Sequence, residues 1–373
     1  MRRYKYYIQA ISGYTYTYLN TESLILKRIF DCVFFCVKIE YDKGCDNMNI
    51  IEAKNLTKEY KYKVKNDKKG FFYNLFHENE KVLKAVNNIS FNVEEGETIA
   101  FIGPNGAGKS TTIKMLTGIL YPTEGEIKIC GLTPIKDRNK LAFNIGTVFG
   151  QRSQLLPNLP LTESMEMFGA MYDMDKQQIK KRIKELCELF DLKEFISQPV
   201  RKLSLGQRMR AEIATSLIHS PRIIFLDEPT IGLDVVSKKS LRDLLLKINR
   251  EEKVTIFLTS HDTEDIQSIC ERCIIINHGK IIIDTSTKQL ISNYVKNKNI
   301  IITPNVEFTE YPELSNGMHY IEKHKNQIIV GVDTEIIHTQ KALQELIKHF
   351  DIDDINIDNE SLESIIRSIY EKD

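Results

Sequence analysis

A glycine-rich segment carries the residue pattern best suited to chemistry. It fits the sequence G-x-x-x-x-G-K-[ST] and reads Gly103, Pro104, Asn105, Gly106, Ala107, Gly108, Lys109, Ser110 and Thr111. Glycines let the backbone curl until successive N–H groups point at phosphate oxygens, and the start of the following helix adds partial positive charge. Lys109 could neutralise the β- and γ-phosphates of a nucleotide, and the Ser110 hydroxyl could bind Mg²⁺. The pattern predicts a site for the phosphates of ATP, with an ordinary glycine turn as the alternative.

Two adjacent carboxylates follow an apolar run further along the chain. The run Ile223 to Leu226 leads directly into Asp227 and Glu228. Asp227 is placed to hold Mg²⁺, directly or through water, and Glu228 can accept the proton of an attacking water as a general base. A solvated turn is the alternative for such a pair. Its occurrence together with the glycine-rich loop favours ATP hydrolysis.

Short apolar segments must position these residues. Thr98 to Ile102 precedes the glycine-rich loop, Ile223 to Leu226 precedes the carboxylates, and Val254 to Leu258 precedes Thr259, Ser260 and His261. Short apolar runs bounded by turn residues are typical of the buried parallel strands of an α/β sheet. Ligands of such sheets gather at the carboxyl ends of the strands, so we expect all three polar groups to lie at one edge.

A third pattern lies between the glycine-rich loop and the carboxylates. It reads Leu203, Ser204, Leu205, Gly206 and Gln207, followed by helix-forming residues. Here the sequence resembles the ATP-binding cassette (ABC) family, whose signature is Leu-Ser-Gly-Gly-Gln. Leu205 replaces the first glycine, whereas Ser204, Gly206 and the helix start that recognise the γ-phosphate in that family are retained. The resemblance therefore implies that the signature remains functional.

The resemblance extends residue by residue from Tyr60 to His261. Gln151 matches the glutamine that senses Mg²⁺ and the attacking water, and His261 matches the switch histidine that contacts the γ-phosphate. Asp234, in Gly232-Leu233-Asp234, fits the loop that touches the partner subunit. Tyr60 resembles the aromatic residue that stacks on adenine, although core packing is a competing interpretation. The implied catalytic residues are Glu228, His261 and Gln151, and the implied Mg²⁺ residues are Ser110, Gln151 and Asp227.

The implied fold is an α/β P-loop NTPase of the ABC type with an inserted α-helical subdomain and a small α+β C-terminal accessory domain. We place the ABC domain at residues 48–290, its helical subdomain at about 152–202, and the accessory domain at 291–373. Apolar stripes at helical spacing close the accessory domain, one at Leu343 to Phe350 and one at Leu362 to Ile369.

Two other segments keep more than one interpretation. Residues 1–47 show no persistent period, so they are either a leader or the product of a misassigned start codon, with Met48 as the true start. The insertion at Asn66 to Lys81 carries Phe71-Phe72-Tyr73 among lysines. It is interpreted as a locally packed loop, with contact to a membrane partner as the alternative.

Composition narrows the function further. The chain has 51 Lys and Arg against 51 Asp and Glu, so no overall field favours nucleic acid or an anionic membrane. No apolar run reaches the ~20 residues needed to cross a bilayer. Seven scattered cysteines favour a reducing compartment, and the C-x-x-C of Cys270 and Cys273 lacks the partners of a metal or redox site, which favours packing.

The resemblance also implies partners and a location. It is closest to the branch that serves exporters with separate ABC-2 type membrane subunits, as Gly146 to Leu161 and Glu228 to Asp234 indicate. We expect a homodimer that sandwiches two ATP with Mg²⁺, bound peripherally to permease subunits at the cytoplasmic face of the membrane, and no nucleic-acid partner. The alternatives are an importer ATPase, a non-transport ABC ATPase acting on ribosomes or DNA, and an ATP-binding module without turnover.

Overall fold

The computed structural model describes residues 49–64, 79–150, 153–260, 262–294, 297–305, 311–324, 327–359 and 362–372. Residues 1–47, nearly all of the 66–81 insertion, Gln151 and His261 lie outside these ranges. Within them, a six-stranded sheet has the order β5-β6-β7-β3-β8-β9. Its strands are β3 (Thr98–Ile102), β5 (Ile145–Phe149), β6 (Ile223–Asp227), β7 (Thr255–Thr259), β8 (Arg272–Asn277) and β9 (Lys280–Ser286).

The central strands of this sheet run parallel, as predicted. Only the β8–β9 pair is antiparallel, and it turns at His278 and Gly279, both of which have positive φ. The predicted apolar runs are β3, β6 and β7, and all three end at the same edge because β6 and β3 both pair in parallel with β7.

A second sheet of three antiparallel strands lies beside the first. Its order is β2-β1-β4, with β1 at Asn49–Val64, β2 at Asn79–Glu94 and β4 at Glu124–Ile129. The described helices of the ATPase region are α1 (Lys109–Leu116), α2 (Arg138–Ala142), α3 (Leu161–Met171), α4 (Lys176–Leu189), α5 (Leu205–Ser216), α6 (Val235–Glu252), α7 (Thr263–Ile269) and α8 (Thr287–Tyr294).

Strands β3, β6 and β7 are buried on both faces of the sheet, which explains why they are apolar along most of their length rather than alternating. In β3, Ile99 and Phe101 point into a core shared with the antiparallel sheet and α1. Ala100 and Ile102 point into the opposite core, which is filled by residues of α3 to α7. The sheet is therefore a rigid layer between two cores, and it holds the loops at its edge in fixed positions.

The C-terminal region forms a sheet of its own. Strands β10 (Asn297–Pro304), β11 (Met318–His324), β12 (Gln327–Asp333) and β13 (Ile352–Asn359) have the order β11-β12-β10-β13. Helix α9 (Thr339–His349) packs on this sheet through Ala342 and Leu346.

The last helix packs elsewhere than the sequence indicates. Helix α10 (Leu362–Lys372) does not close the C-terminal sheet, because its residues Leu362, Ile365, Ile366 and Ile369 belong to the helical core of the ATPase. A stripe at helical spacing shows that one face of a helix is buried, but not which surface covers it. The accessory sheet is therefore followed by a helix that returns to the ATPase.

The described residues include neither a helix that could span a membrane nor a disulfide at Cys270 or Cys273. Among them no helix has the length and apolarity of a membrane span. The thiols of Cys270 and Cys273 are free and buried, and burial raises the pKa of both. Ordinary packing is thus the role of this pair.

A half-buried histidine, His219, lies against β5. The ring of His219 stacks on Tyr172 with centroids 3.7 Å apart, and its Nε2 lies 3.1 Å from the Ile145 carbonyl oxygen. Nε2 therefore carries the proton of a neutral ring. Burial is the main reason that the pKa of His219 falls to about 4, the charge of Arg182 adds to the effect, and the Ile145 contact opposes it.

This histidine should make the stability of the fold depend on pH. The unfolded chain binds the proton from about pH 6.5 downward, whereas the folded chain excludes it until about pH 4. We expect the free energy of unfolding to be greatest above pH 6.5 and to fall by roughly 3 kcal/mol as the pH drops to 4. Urea unfolding of His219→Gln, which keeps a donor for Ile145, should show a flatter pH dependence. The exposed turn variant His278→Asn should keep the slope of the parent, and an unchanged slope in His219→Gln would contradict the assignment.

Candidate functional site

The glycine-rich loop joins β3 to α1, and two of its glycines are required by close approach. A Cβ on Gly103 would lie 2.3 Å from the Ile276 carbonyl oxygen. Gly108 has φ +110°, and a Cβ there would lie 2.4 Å from the Ala85 carbonyl oxygen. Gly106 has φ +83° and open space around it. The loop is thus held closely against β2 and β8 on one side while its tip stays accessible.

The lysine of this loop is buried within it. Lys109 is 6% exposed, and its Nζ donates hydrogen bonds to the carbonyl oxygens of Gly103 at 2.6 Å and Pro104 at 3.2 Å. Burial lowers the pKa of Lys109, while the charges of Glu228 and Asp227 act in the opposite direction. The ammonium group is therefore fixed across the mouth of the loop, where a phosphate would meet both the charge and the backbone N–H groups.

The other loop residues differ in exposure. Asn105, Gly106 and Ser110 are exposed, Pro104 and Thr111 are half-buried, and Ala107 is buried. The polar side chain and the accessible backbone at the tip are therefore on the solvent side, whereas Ala107 anchors the loop to the core shared with α1.

Asp227 meets the loop from the end of β6. Its Oδ1 accepts a hydrogen bond from Thr259 Oγ1 at 2.6 Å and one from Ser110 Oγ at 3.4 Å. A serine hydroxyl and a carboxylate oxygen so placed are hard oxygen ligands of the kind that Mg²⁺ prefers. The pair fits the metal that a nucleotide phosphate would bring, and Ser110 and Asp227 are the described residues that would hold it.

Glu228 sits in a strained turn next to Asp227. Its φ is +55°, in the left-handed region that non-glycine residues seldom adopt. Its N–H donates to the carbonyl oxygen of Thr259 at 3.0 Å and to Thr259 Oγ1 at 3.1 Å. A Cβ on Gly150 would lie 2.5 Å from the Glu228 carbonyl oxygen, so Gly150 must be glycine for the two loops to pass. Thr259 and Gly150 thus hold the turn that carries the Glu228 carboxylate at the edge of the sheet.

The signature pattern begins helix α5. Ser204 is its N-cap, and the side chains of Ser204 and Gln207 each accept a hydrogen bond from the other's backbone N–H. Leu205 is 38% exposed, and its Cδ2 would lie 3.2 Å from a Cβ placed on Gly232. The leucine that departs from the family pattern thus packs beside the loop of Asp234.

Asp234 caps the next helix. Its side chain accepts hydrogen bonds from the Ser237 N–H at 2.9 Å and the Ser237 hydroxyl at 2.6 Å. Ser237 Oγ would in turn lie 2.6 Å from a Cβ on Gly206. The starts of α5 and α6 are therefore in direct contact within one chain.

This contact predicts the effect of a methyl group on Gly206. We expect Gly206→Ala to push Ser237 away and to lower the maximal ATP hydrolysis rate about 10-fold, because small displacements of positioning groups cost rate steeply. Adding Ser237→Gly removes both close atoms and should restore part of the rate. Phosphate release at saturating ATP measures both variants. Equal rates for Gly206→Ala and the parent would show that the contact does not matter.

The proposed adenine-stacking residue is not in the core. Tyr60 is 40% exposed near the end of β1, and the Lys58 ammonium lies 5.4 Å from its ring centroid. The competing interpretation of Tyr60 as a core residue is therefore wrong. Gln151 and His261 lie outside the described residues, so their predicted roles stay predictions.

Sequence reasoning missed a buried carboxylate on the signature helix. Glu212 is 6% exposed, and one of its oxygens accepts the Gln154 N–H at 3.2 Å. Burial raises the pKa of Glu212, with hydrogen bonds from Ser153 and the backbone opposing the shift. The Gln154 side chain also donates to the Thr147 carbonyl oxygen at 2.9 Å. An available signal was the position of Glu212 between the apolar residues Ala211 and Ile213.

Comparison with known proteins agrees with this geometry. Residues 86–231 match the family described as ABC transporter. The ABC transporter ATP-binding protein NatA of Bacillus subtilis (strain 168) is 36% identical over 207 residues, which are 56% of this chain and 84% of that protein. The bacitracin transport ATP-binding protein BcrA of Bacillus licheniformis is 31% identical over 246 residues, which are 66% of this chain and 79% of that protein.

A solved structure gives the same fold. The ATP-binding cassette MJ0796, a dimer in a post-hydrolysis state bound to ADP and Pi, has a TM-score of 0.53 and 30% identity and covers 63% of this chain and 98% of its own. The α/β sheet with its glycine-rich loop is accordingly a P-loop NTPase fold of the ABC type. The chain therefore belongs to the ATP-binding proteins of the ABC transporter family and is an ATP-binding, ATP-hydrolysing subunit of an ABC transporter.

Proposed function

We propose that this chain powers the export of a substrate through separate ABC-2 type membrane subunits, working as a homodimer with two ATP sites. One observation carries the dimeric part of the proposal. The signature helix α5 packs against β5, α3 and α6, whereas the phosphate-loop helix α1 packs against β2, β4 and β6. The two halves of an ABC site thus stand on different elements, and a head-to-tail second copy would bring them together.

Each residue has a proposed role in that composite site. The loop Gly103 to Thr111 holds the phosphates, Tyr60 stacks on adenine, and Lys109 neutralises the phosphate charge. Ser110 and Asp227, with Gln151, hold Mg²⁺, which when bound would screen the phosphates and orient them. Glu228 takes the proton of the attacking water, and His261 contacts the γ-phosphate. The signature residues Ser204 to Gln207 act on the ATP of the partner copy, and Asp234 lies in the loop that contacts it.

The geometry supports these roles where the residues are described. Lys109 donates to two carbonyl oxygens of the loop at 2.6 and 3.2 Å, and Ser110 donates to Asp227 at 3.4 Å. Glu228 follows Asp227 in a turn, and its backbone N–H donates two hydrogen bonds to Thr259 of the neighbouring strand β7. A general base must be positioned before its pKa matters, and this turn provides the positioning.

The membrane partner and the direction of transport rest on the sequence details and on a relative. Gly146 to Leu161 and Glu228 to Asp234 resemble the exporter branch, and BcrA is by its name a bacitracin transport protein. The proposal places the chain at the cytoplasmic face of the membrane, bound through permease subunits. An importer or a ribosome- or DNA-associated ATPase would have other partners.

Affinity purification from native membranes tests the partner. A tagged chain extracted in mild detergent should carry a multi-helix membrane protein in a 1:1 ratio, identified by mass spectrometry. The same tag on an unrelated cytosolic ATPase is the control. Recovery of the chain with ribosomes or DNA, and with no membrane protein, would contradict the proposal. Direction follows from inside-out vesicles, in which an exporter loads its substrate when ATP is added outside.

A further inference from the structure

A buried polar cluster lies behind the catalytic edge of the sheet. We call it the Asp265 cluster, and it consists of Thr230, Arg242, Ser260 and Asp265. All four side chains are buried, and Asp265 is fully inaccessible. A buried carboxylate costs free energy unless it is paired and hydrogen-bonded, so the arrangement around it must be specific.

Asp265 receives three hydrogen bonds. Its Oδ2 accepts one from Thr230 Oγ1 at 2.5 Å and one from Ser260 Oγ at 2.9 Å. Its Oδ1 accepts one from Arg242 Nε at 2.6 Å. The carboxylate thus contacts three chain segments, of which only the one with Ser260 is close to it in sequence.

Those three segments are neighbours in the chain of residues to which the proposed function gives a role. Thr230 lies two residues after Glu228 and four before Asp234. Arg242 lies on α6, whose N-cap is Asp234. Ser260 immediately precedes His261 in the chain, and its Oγ also accepts the N–H of Asp262, the residue that follows His261. Asp265 therefore joins the turn of the general base, the helix of the partner-contacting loop and both chain neighbours of the switch histidine.

Other charged groups surround this centre. Asp262 forms an ion pair with Lys238 at 2.6 Å, and its second oxygen lies 3.4 Å from Arg242. Glu264 contacts Arg242 at 2.7 Å, but its side chain is 70% exposed, so solvent screens that pair. Lys238 and Arg242 both lie on α6, so α6 holds Asp262 and Asp265 at two points. This double attachment joins the first half of α6 to Asp262 and Asp265.

We propose that Asp265 is a positioning residue that couples the Asp234 loop to Ser260 and Asp262, the chain neighbours of His261. When a second copy presses on the Asp234 loop, α6 and Thr230 move with it, and Asp265 passes that displacement to Ser260. The two ATP sites of the dimer would then adopt their hydrolytic geometry together. This inference rests on the proposed homodimer, but it concerns residues to which that proposal gives no role.

The first test is Asp265→Asn, which keeps the side-chain shape and removes the charge that pairs with Arg242. We expect kcat for ATP to fall about 10- to 100-fold, because misplacement of a catalytic group by about 1 Å costs rate on this scale. The KM for ATP should change less than about 3-fold, since Lys109 and the phosphate loop are untouched. Asp284→Asn, which breaks the bidentate pair of Asp284 with Arg272 on the β8–β9 hairpin, is the matched control and should keep the parent kcat.

A double-mutant cycle separates positioning from general stabilisation. If Asp265 acts through His261, Asp265→Asn should add little to the loss caused by His261→Ala, so the double variant should match His261→Ala alone. Losses that multiply, or a parent-like kcat in Asp265→Asn, would overturn the inference. Should Asp265→Asn fail to fold, Thr230→Val removes one hydrogen bond at constant shape, and the same cycle with His261→Ala decides.

The outcome is distinguishable from failure of the proposed function. If the parent protein hydrolyses ATP as a monomer, the proposed homodimer and its role at the membrane are wrong, whatever the result for Asp265→Asn. If the parent works as a dimer and Asp265→Asn is equally active, only the proposed coupling through Asp265 is wrong.

Discussion

Replacing Glu228 by Gln is expected to lower ATP turnover by about 10²- to 10⁴-fold, the range that a positioned general base contributes. Glutamine keeps the size of the side chain and the strained turn at φ +55°, but it cannot take a proton from water at neutral pH. ATP binding should persist, because Lys109 and Ser110 are unchanged. Phosphate release and equilibrium nucleotide binding measure the two effects separately.

Glu188→Gln is the control for this change. Glu188 is an exposed residue of α4, so the same substitution there should leave turnover at the parent level. Turnover in Glu228→Gln equal to that of the parent would show that another group takes the proton. Loss of ATP binding in that variant would instead mean that the substitution has disturbed the loop.

Replacing Lys109 by Met is expected to weaken ATP binding by about 10- to 100-fold. Methionine keeps the apolar stem but removes the ammonium group, and a hydrogen bond to a charged group contributes about 1.5–3 kcal/mol, each 1.4 kcal/mol being tenfold in affinity. The carbonyl oxygens of Gly103 and Pro104 also lose their donor, so the loop loses two internal hydrogen bonds. Titration with a fluorescent ATP analogue measures the change.

Lys114→Met is the matched control, since Lys114 lies on the same helix but is exposed. It removes an equal charge one turn away and should change ATP affinity less than about 2-fold, as expected for a screened surface charge. Equal losses in the two variants would mean that Lys109 acts only through net charge. Unchanged ATP affinity in Lys109→Met would show that Lys109 does not bind the phosphates.

Much of the site was predictable because its motifs are local. The glycine-rich loop follows β3 and opens α1 as the sequence indicates, and Asp227 and Glu228 stand at the end of β6. The parallel pairing of β3, β6 and β7 followed from short apolar runs that are buried on both faces. Local spacing and strand burial together were enough to bring these side chains to one edge.

Contacts between distant segments were not predictable in this way. The bond of Thr259 to Asp227 and the bonds of Thr230 and Arg242 to Asp265 join residues far apart in the chain, so no spacing rule identifies them. Arg242 and Asp265 look in the sequence like solvated charges on helices, and only burial shows that they are paired. The same limit explains α10, whose stripe predicts burial but not its partner.

Leu205 shows how a departure from a family pattern can be judged from structure. The glycine of the usual signature has no side chain, whereas Leu205 extends toward Gly232 and contributes apolar surface to the loop of Asp234. Its neighbour Gly206 remains glycine because Ser237 leaves no room for a Cβ. Position 205 of the signature therefore tolerates a side chain, whereas position 206 does not.

The most direct test of a composite site is the mass of Glu228→Gln in solution with and without ATP and Mg²⁺. Analytical ultracentrifugation should give 43.2 kDa without nucleotide and twice that mass with ATP, since slow hydrolysis keeps the two copies closed on their ligands. A variant that binds ATP yet stays at the mass of one chain would contradict the head-to-tail dimer and the site built from two copies.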